Sequence, residues 1–213
     1  VIIDSGKFDW SIDKKRQPNI WRPDESYHGT IWGEAVPKLT GANIPYIIRN
    51  RVVLLRDLGS ALSPFNSFLI IQGLETLALR MKQHCKNAEK IKLLLKNHPK
   101  VKKVIFSTNQ DKYFNKLAKK YLKGGNGSLI GLELSGGAEA GKRFIDNLNL
   151  FYHVANIGDS RSLAIHPAST THSQLSETDM LLAGVTPGYV RLSIGIEHFE
   201  DIIYDIMQSL EKI

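Results

Sequence analysis

The sequence predicts an α/β fold in which a long helix links two parts of the chain. The 213 residues are 42% hydrophobic and 23% charged, which is the balance of a globular protein with a sizeable core. Apolar residues recur at spacings of three and four between Ser63 and Asn97, as they do along one face of a helix. After residue 100, short β-like runs alternate with helical ones, which is typical of an α/β or α+β unit.

The long helix has clear start and stop signals. Ser63 can cap its first turn, and Pro64 fits the first helical position, where its missing N–H costs nothing. The pattern ends before Pro99. One continuous helix over residues 63–97 would be roughly 50 Å long, a length that more often connects two domains than serves a single one.

We therefore expect three regions, namely residues 1–62, the linking helix 63–98, and a C-terminal domain 99–213. The C-terminal domain is predicted to contain strands at 103–106, 129–134, 151–156 and 190–194, and helices near 112–122, 137–148 and 197–210.

The region before the long helix carries weaker signals. Residues 1–4 are predicted to be a strand, and residues 47–57 fit either a short helix or a strand. Residues 11–46 hold four prolines and two of the three tryptophans, with the third, Trp10, just before them, which predicts irregular structure that packs on something or serves a site. The sequence opens on Val1 without a signal-peptide pattern, so we expect it to continue a longer polypeptide.

The net charge of +7 is concentrated in residues 82–123. This segment has thirteen lysines against two acids, Glu89 and Asp111, and it could be a basic nucleic-acid-binding or interaction module. The segment has no arginine, which nucleic-acid modules usually interleave with aromatic residues. A solvated helix face is therefore the favoured interpretation, with no nucleic-acid partner.

Other classes of protein find little support. The longest apolar runs are far shorter than the ~18 residues of a membrane helix. Cys85 is the single cysteine, which excludes an internal disulfide and indicates a reducing cytoplasm. His166 and His172 have no acid or cysteine at ligand spacing, so no metal site is predicted.

Two segments of the C-terminal region could bind a ligand. Residues 156–173 are dense in hydroxyl and amide side chains and follow a predicted strand, so they form either a polar ligand site or a loop that caps itself. In the next strand Arg191 alternates with apolar neighbours, and a partly buried guanidinium needs an anionic partner. That partner is either a ligand carboxylate or a structural Asp or Glu.

Several separate motifs, in order along the chain, carry a resemblance to a known family. They are Gly6-Lys7-Phe8-Asp9-Trp10, Arg56-Asp57-Leu58-Gly59, Ser63-Pro64-Phe65-Asn66, Gln72-Gly73-Leu74-Glu75-Thr76-Leu77 and the run from Asn156 to Leu175. Together they resemble the Cys/Met-metabolism family of pyridoxal-phosphate enzymes, and within it the O-acetylhomoserine sulfhydrylases. The resemblance spans essentially the whole chain and is weaker near 100–150.

The resemblance implies the second half of an aspartate-aminotransferase-like, fold type I enzyme. Residues 1–62 would end the cofactor domain, and residues 99–213 would form the substrate domain of a cytoplasmic homotetramer. The implied reaction is a γ-replacement in methionine biosynthesis, in which pyridoxal 5'-phosphate acts as the electron sink. O-Acetylhomoserine would react with sulfide or methanethiol to give homocysteine or methionine and acetate.

The resemblance also assigns roles to individual residues. Arg191 and Asn156 would bind the substrate carboxylate, Thr171 would lie near the site, and Ser162 matches a common serine of the motif. No catalytic residue is assigned, because the lysine of the family's Schiff base lies before Val1.

Two alternatives remain within the same family, namely a cystathionine γ-synthase and a methionine or cystathionine γ-lyase. Relatives often have a glutamate at the position of Ala155, and this departure favours a sulfhydrylase over a cystathionine γ-lyase.

We expect this chain alone to have no γ-replacement activity and to bind no pyridoxal phosphate covalently, because none of its lysines stands in the family's Schiff-base context. Visible absorbance after adding the cofactor, followed by borohydride reduction and peptide mapping, checks this expectation. A label retained on any lysine of residues 1–213 would contradict it.

Overall fold

The structure is a computed structural model that describes residues 2–108 and 111–213. Its internal contacts separate one compact unit that ends at Ile70 from a second that begins at Ile71. Val1, part of the predicted first strand, lies outside the described residues. Residues 2–4 have no regular secondary structure, so the strand predicted there is wrong.

The first unit is helical. Its elements are α1 (Pro18–Trp21), a 3₁₀ turn (Glu25–Tyr27), α2 (Trp32–Thr40), α3 (Pro45–Arg49), a π-helical segment (Asn50–Leu55) and α4 (Arg56–Leu58). The ambiguous residues 47–57 are thus helical, and the expected irregular stretch at 11–46 contains helices. Pro18 and Pro45 occupy first-turn positions, where proline favours the start of a helix. The number of prolines in this stretch is therefore a poor indicator of irregular structure. Trp32, Val36 and Val53 form a small core.

The predicted long helix is two helices, α5 (Pro64–Glu75) and α6 (Leu77–Leu95), separated at Thr76. Thr76 has φ −102° and ψ 0°, outside the helical region. Arg80 donates from Nη2 to the carbonyl of Gly73 at 2.7 Å, and from Nε to the Thr76 hydroxyl at 3.3 Å. These bonds satisfy a carbonyl that the end of α5 leaves open. The prediction of one continuous helix is therefore wrong at this residue.

The second unit is built on a five-stranded sheet. The strands are β1 (Val101–Ile105), β2 (Leu129–Leu134), β3 (Tyr152–His153), β4 (Leu163–Ile165) and β5 (Tyr189–Ser193), in the order β1-β2-β5-β4-β3. Neighbours are antiparallel except β3 and β4. The four predicted strands are confirmed, with shifts of one or two residues for β1 and β5 and a shorter β3. β4 was not predicted, because it is a three-residue strand inside the polar segment 156–173.

The remaining helices of the second unit are α7 (Lys112–Tyr121), α8 (Gly137–Asp146), α9 (Glu177–Leu182) and α10 (Phe199–Glu211), with a 3₁₀ turn at Pro167–Ser169. Three of them confirm predicted helices. Asp111 is the N-cap of α7, and its carboxylate accepts the N–H of Phe114 at 3.0 Å.

The sheet has one buried face and one open face. Residues of β5 alternate, so Val190 and Leu192 are fully buried while Arg191 is half-buried. The buried face packs against apolar side chains of α6, α8 and α10, including Ile91, Leu95, Phe144, Ile202, Ile206 and Leu210. The alternation predicted for residues 190–194 is therefore confirmed as far as Leu192 and places Arg191 on the face opposite the core, whereas Ser193 is also buried.

We expect Gly141→Ala to destabilise the second unit. A Cβ at Gly141 in α8 would lie 2.5 Å from Cδ2 of His166. That ring is pinned by Ser169 Oγ at Nδ1 and by the Pro187 carbonyl at Nε2, both at 2.8 Å. Overpacking costs about 1–3 kcal/mol, which should outweigh the gain of ~1 kcal/mol when alanine replaces a helical glycine.

Thermal unfolding of the two variants Gly141→Ala and Gly73→Ala measures this effect. Gly73 also lies in a helix, but a Cβ there meets nothing within 4 Å. A melting temperature that rises for both variants would show that the His166 contact is not restrictive.

Candidate functional site

The candidate site is centred on Arg191, in the middle of β5. In the register of the sheet, Arg191 lies between Gly131 of β2 and Ile165 of β4 on the open face. Its Nη2 donates to the backbone carbonyl of Asn156 at 3.3 Å. Within residues 2–108 and 111–213, no ion pair involves Arg191. The structural Asp or Glu considered as its partner is therefore absent from the described chain, and the planar guanidinium keeps donors free for an anion.

The loop that carries Asn156 is held over the open face by Ser193. Ser193 lies two residues after Arg191 on the same side of β5, and its hydroxyl accepts the N–H of Gly158 at 3.2 Å. Asn156 is exposed, and its side-chain oxygen accepts the N–H of Ile157 at 2.9 Å. The structure thus brings Asn156 to Arg191 through its backbone carbonyl rather than through its amide.

A cavity of about 270 Å³ opens beside Arg191 on the β4 side. Its lining residues are Ala155, Ile165, Pro167, Thr171, His172, Ala183, Gly184, Val185, Tyr189 and Arg191. Thr171 therefore shares the cavity with Arg191, as the sequence suggested, and its hydroxyl lies 2.9 Å from His172 Nδ1. This space is large enough for the carboxylate end of a small amino acid.

Ser162 lies elsewhere. It is fully buried, and it does not line the cavity beside Arg191. Its hydroxyl donates to Glu197 Oε2 and accepts the N–H of Gly195, both at 2.9 Å, while its own N–H donates to Glu197 Oε1 at 2.5 Å. The geometry gives Ser162 a role in holding the loop before β4 to the segment after β5, and it places no free hydroxyl near Arg191.

The segment after β5 is also fixed from the side of α6. His84 donates from Nδ1 to the carbonyl of Ile194 at 2.6 Å, and its Nε2 has no partner among the described residues. Asn87 donates to the carbonyls of Gly195 at 3.1 Å and Glu197 at 3.0 Å. Residues 194–197 are thus tied to both α6 and the loop before β4, which fixes the end of β5.

Three residues of this arrangement were missed by sequence reasoning, namely Tyr189, Ser193 and Glu197. The alternation that selected Arg191 also places Tyr189 and Ser193 on the open face, so that signal was available. Glu197 meets Ser162 only through the tertiary fold, and no local pattern indicates the contact.

A second cavity, of about 350 Å³, borders Arg191 and Tyr189 on the β1 side. It is lined by Ile105, Phe106, Ser107, Asn126, Gly127, Ser128, Leu129, Gly131, Tyr189 and Arg191. Neither cavity is lined by a lysine. The residues around Arg191 therefore fit the carboxylate of an amino acid and do not fit the covalent attachment of an aldehyde cofactor.

Two other kinds of feature are absent from the described part of the chain. No three side chains of His, Cys, Asp or Glu there lie close enough together to hold a metal ion. None of its helices combines the length and apolar character that a membrane span requires.

We expect Ser162→Ala to lower stability through the network around Glu197. The change leaves the buried N–H of Gly195 and one carboxylate oxygen without a partner, which costs about 1–3 kcal/mol. Urea unfolding measures the loss. Ser160→Ala is the matched control, because Ser160 contributes only its backbone carbonyl, to the N–H of Ile196. Equal stability of the two variants would contradict the structural role of the Ser162 hydroxyl.

Comparison with known proteins identifies the family. The profile of the Cys/Met metabolism PLP-dependent enzymes matches residues 27–211. The chain is 47% identical to the O-acetyl-L-homoserine sulfhydrylase of Leptospira meyeri, over all of this chain and 49% of that protein. It is 43% identical to the homocysteine synthase of Schizosaccharomyces pombe, over 99% of this chain and 48% of that protein. The chain thus spans about half the length of these curated relatives.

A solved structure agrees with these matches. The crystal structure of a putative O-acetylhomoserine (thiol)-lyase from Campylobacter jejuni, which contains N'-pyridoxyl-lysine-5'-monophosphate, superposes with a TM-score of 0.78. It is 43% identical, and the match covers 90% of this chain and 44% of that one. The expected α/β fold of a PLP-dependent transferase is confirmed, and the chain belongs to the Cys/Met metabolism family of PLP-dependent enzymes.

Proposed function

We propose that this chain is the substrate-binding half of an O-acetylhomoserine sulfhydrylase. The complete enzyme would convert O-acetylhomoserine and sulfide to homocysteine and acetate, or use methanethiol to give methionine. The observation that carries the proposal is Arg191, a half-buried guanidinium that borders an amino-acid-sized cavity and has no carboxylate partner in the described chain. The 47% identity to a sulfhydrylase supports the choice of reaction.

Arg191 would bind the α-carboxylate of the substrate. Its fork can bind both carboxylate oxygens, and such a pair fixes the direction of the amino acid as well as its position. The carbonyl of Asn156 takes one N–H of the guanidinium and so orients it. Thr171 would add a hydroxyl at the edge of the cavity, and the amide N–H₂ of Asn156, which has no partner in the described chain, remains available to the ligand.

Ala155 supports a sulfhydrylase over a cystathionine γ-lyase. It lines the cavity with Arg191, at the position where relatives often have a glutamate. A methyl group there brings no negative charge to the anion site. The guanidinium of Arg191 is thus left to the substrate carboxylate.

The cofactor lysine would come from the part of the enzyme beyond this chain. The cavities around Arg191 contain no lysine, and the chain spans about half of its relatives. We assign residues 1–62 to the end of the cofactor domain, 63–98 to the connection and 99–213 to the substrate domain. We place the enzyme in the cytoplasm.

The surface of α5 supports a larger assembly. Its apolar residues are exposed all around the helix, including Phe65, Phe68, Leu69, Ile70, Ile71 and Leu74, each more than half exposed. A helix that is apolar on every side is normally buried. We propose that the remaining polypeptide of the enzyme and its assembly as a homotetramer cover this helix.

Two lysines of the lysine-rich segment, residues 82–123, make contacts within the fold. Lys100 donates to the carbonyls of Glu211 and Ile213 near the C-terminal end, and Lys92 pairs with Glu89. No contact among the described residues of this segment favours the nucleic-acid-binding alternative, and the family is one of metabolic enzymes.

We expect Arg191→Ala in the full-length enzyme to lower kcat/KM for O-acetylhomoserine by about 30-fold to 3,000-fold. Breaking a partly buried charged pair costs about 2–5 kcal/mol, which corresponds to this range. Much of the loss should appear in KM for O-acetylhomoserine and little in KM for sulfide. Arg191→Lys should recover only part of the activity, because a point charge does not reproduce the guanidinium fork.

Steady-state kinetics and thermal melts separate this role from a structural one. Arg143→Ala, on the exposed side of α8, is the matched control and should keep the wild-type KM. An unchanged KM with a lowered melting temperature in Arg191→Ala would contradict the role of Arg191 in binding the substrate carboxylate. Turnover of cystathionine in preference to O-acetylhomoserine by the wild-type enzyme would favour the γ-lyase alternative.

A further inference from the structure

Tyr189 and Arg191 form one side of a four-residue square on the open face of the sheet. They lie two residues apart on β5, so both side chains rise from the same face. In the register with β2, Tyr189 is opposite Glu133 and Arg191 is opposite Gly131. Glu133 and Arg191 therefore occupy one diagonal of the square, at a separation that long side chains can span.

The ring of Tyr189 lies along the other diagonal. A Cβ built on Gly131 would lie 2.7 Å from Cε2 and 3.0 Å from the hydroxyl oxygen of Tyr189. The ring thus leans away from its own partner, Glu133, and fills the space over Gly131 that a larger residue would occupy. Because the two diagonals cross, the ring lies across the direct line between positions 133 and 191 on this face.

The charges on either side of the ring are kept apart. The carboxylate of Glu133 accepts a hydrogen bond from the Thr186 hydroxyl, on the side away from Arg191. Arg191 bonds the Asn156 carbonyl instead. Burial raises the pKa of the Tyr189 phenol above its usual value, although Arg191 acts in the opposite direction. The ring is therefore a neutral barrier at physiological pH.

We propose that Tyr189 is a positioning residue that keeps Arg191 unpaired by separating it from Glu133. Without the ring, Glu133 would be the nearest carboxylate on this face and would compete with the substrate for the guanidinium. With the ring in place, Arg191 remains directed to the cavity on the β4 side. The kinetic part of this inference rests on the proposed function, while its structural part does not.

The kinetic test compares variants of the full-length holoenzyme. Tyr189→Ala should raise KM for O-acetylhomoserine by about tenfold, which corresponds to a loss of about 1.4 kcal/mol of binding free energy, and should leave KM for sulfide unchanged. Tyr189→Phe keeps the ring and should therefore raise KM for O-acetylhomoserine much less than Tyr189→Ala does. In the Tyr189→Ala background, Glu133→Gln should restore KM, because the competing charge is gone.

A crystal structure of the Tyr189→Ala enzyme provides a measurement that does not depend on activity. We expect a salt bridge between Glu133 and Arg191, with an N–O distance within 4 Å, where the wild type has none. Tyr204→Ala, a change of an exposed tyrosine on α10, is the control for nonspecific effects on KM and melting temperature.

The outcomes separate the inference from the proposed function. Absence of sulfhydrylase activity in the wild type would reject the proposed function, and the crystal structure would still decide the inference. Arg191 unmoved in Tyr189→Ala would overturn the inference. So would a Tyr189→Phe variant as impaired as Tyr189→Ala, or a failure of Glu133→Gln to restore KM in the active enzyme.

Discussion

The half-buried carboxylate of Glu197 is the constraint on which the candidate site depends. Both of its oxygens accept hydrogen bonds from Ser162, and Ser162 in turn accepts the N–H of Gly195. Only glycine fits at position 195, since a Cβ there would lie 2.1 Å from Glu197 Oε2. The contacts of Ser162 thus fix the loop before β4 to the end of β5, and α6 holds the carbonyls of the same segment. In this arrangement the carbonyl of Asn156 reaches Arg191.

An unpaired arginine is an unfavourable group for a folded chain to keep. A half-buried guanidinium loses part of its hydration and here gains one carbonyl in return. The neighbouring polar groups do not depend on Arg191 for their hydrogen bonds, because Ser193 binds the loop and Thr186 binds Glu133. The stability of the sheet comes from its other face, where aliphatic side chains pack against three helices.

The sequence was informative where a pattern is local. Alternation along β5 was enough to place Arg191 opposite the core, and apolar spacing located the helices. The break at Thr76 was hidden because it depends on the reach of Arg80 back to Gly73, which helical periodicity does not encode. The motif around Ser162 suggests a ligand-binding residue, because a local motif does not reveal that its partner is Glu197, 35 residues further along the chain.

The two faces of β5 therefore serve different purposes, since one packs in the core of the second unit and the other borders the candidate site. Val190 and Leu192 contribute to the core, Tyr189 and Arg191 line the cavity, and Ser193, itself buried, binds the loop that carries Asn156. We propose different roles for two of these residues, namely separation of charges by the ring and carboxylate binding by the guanidinium, whereas the Ser193 hydroxyl holds the loop. Since side chains alternate strictly along a strand, a slip of one residue in register would bury the arginine and expose the core together. The same hydrophobic packing that stabilises the sheet thus also determines that Arg191 faces the cavity on the β4 side.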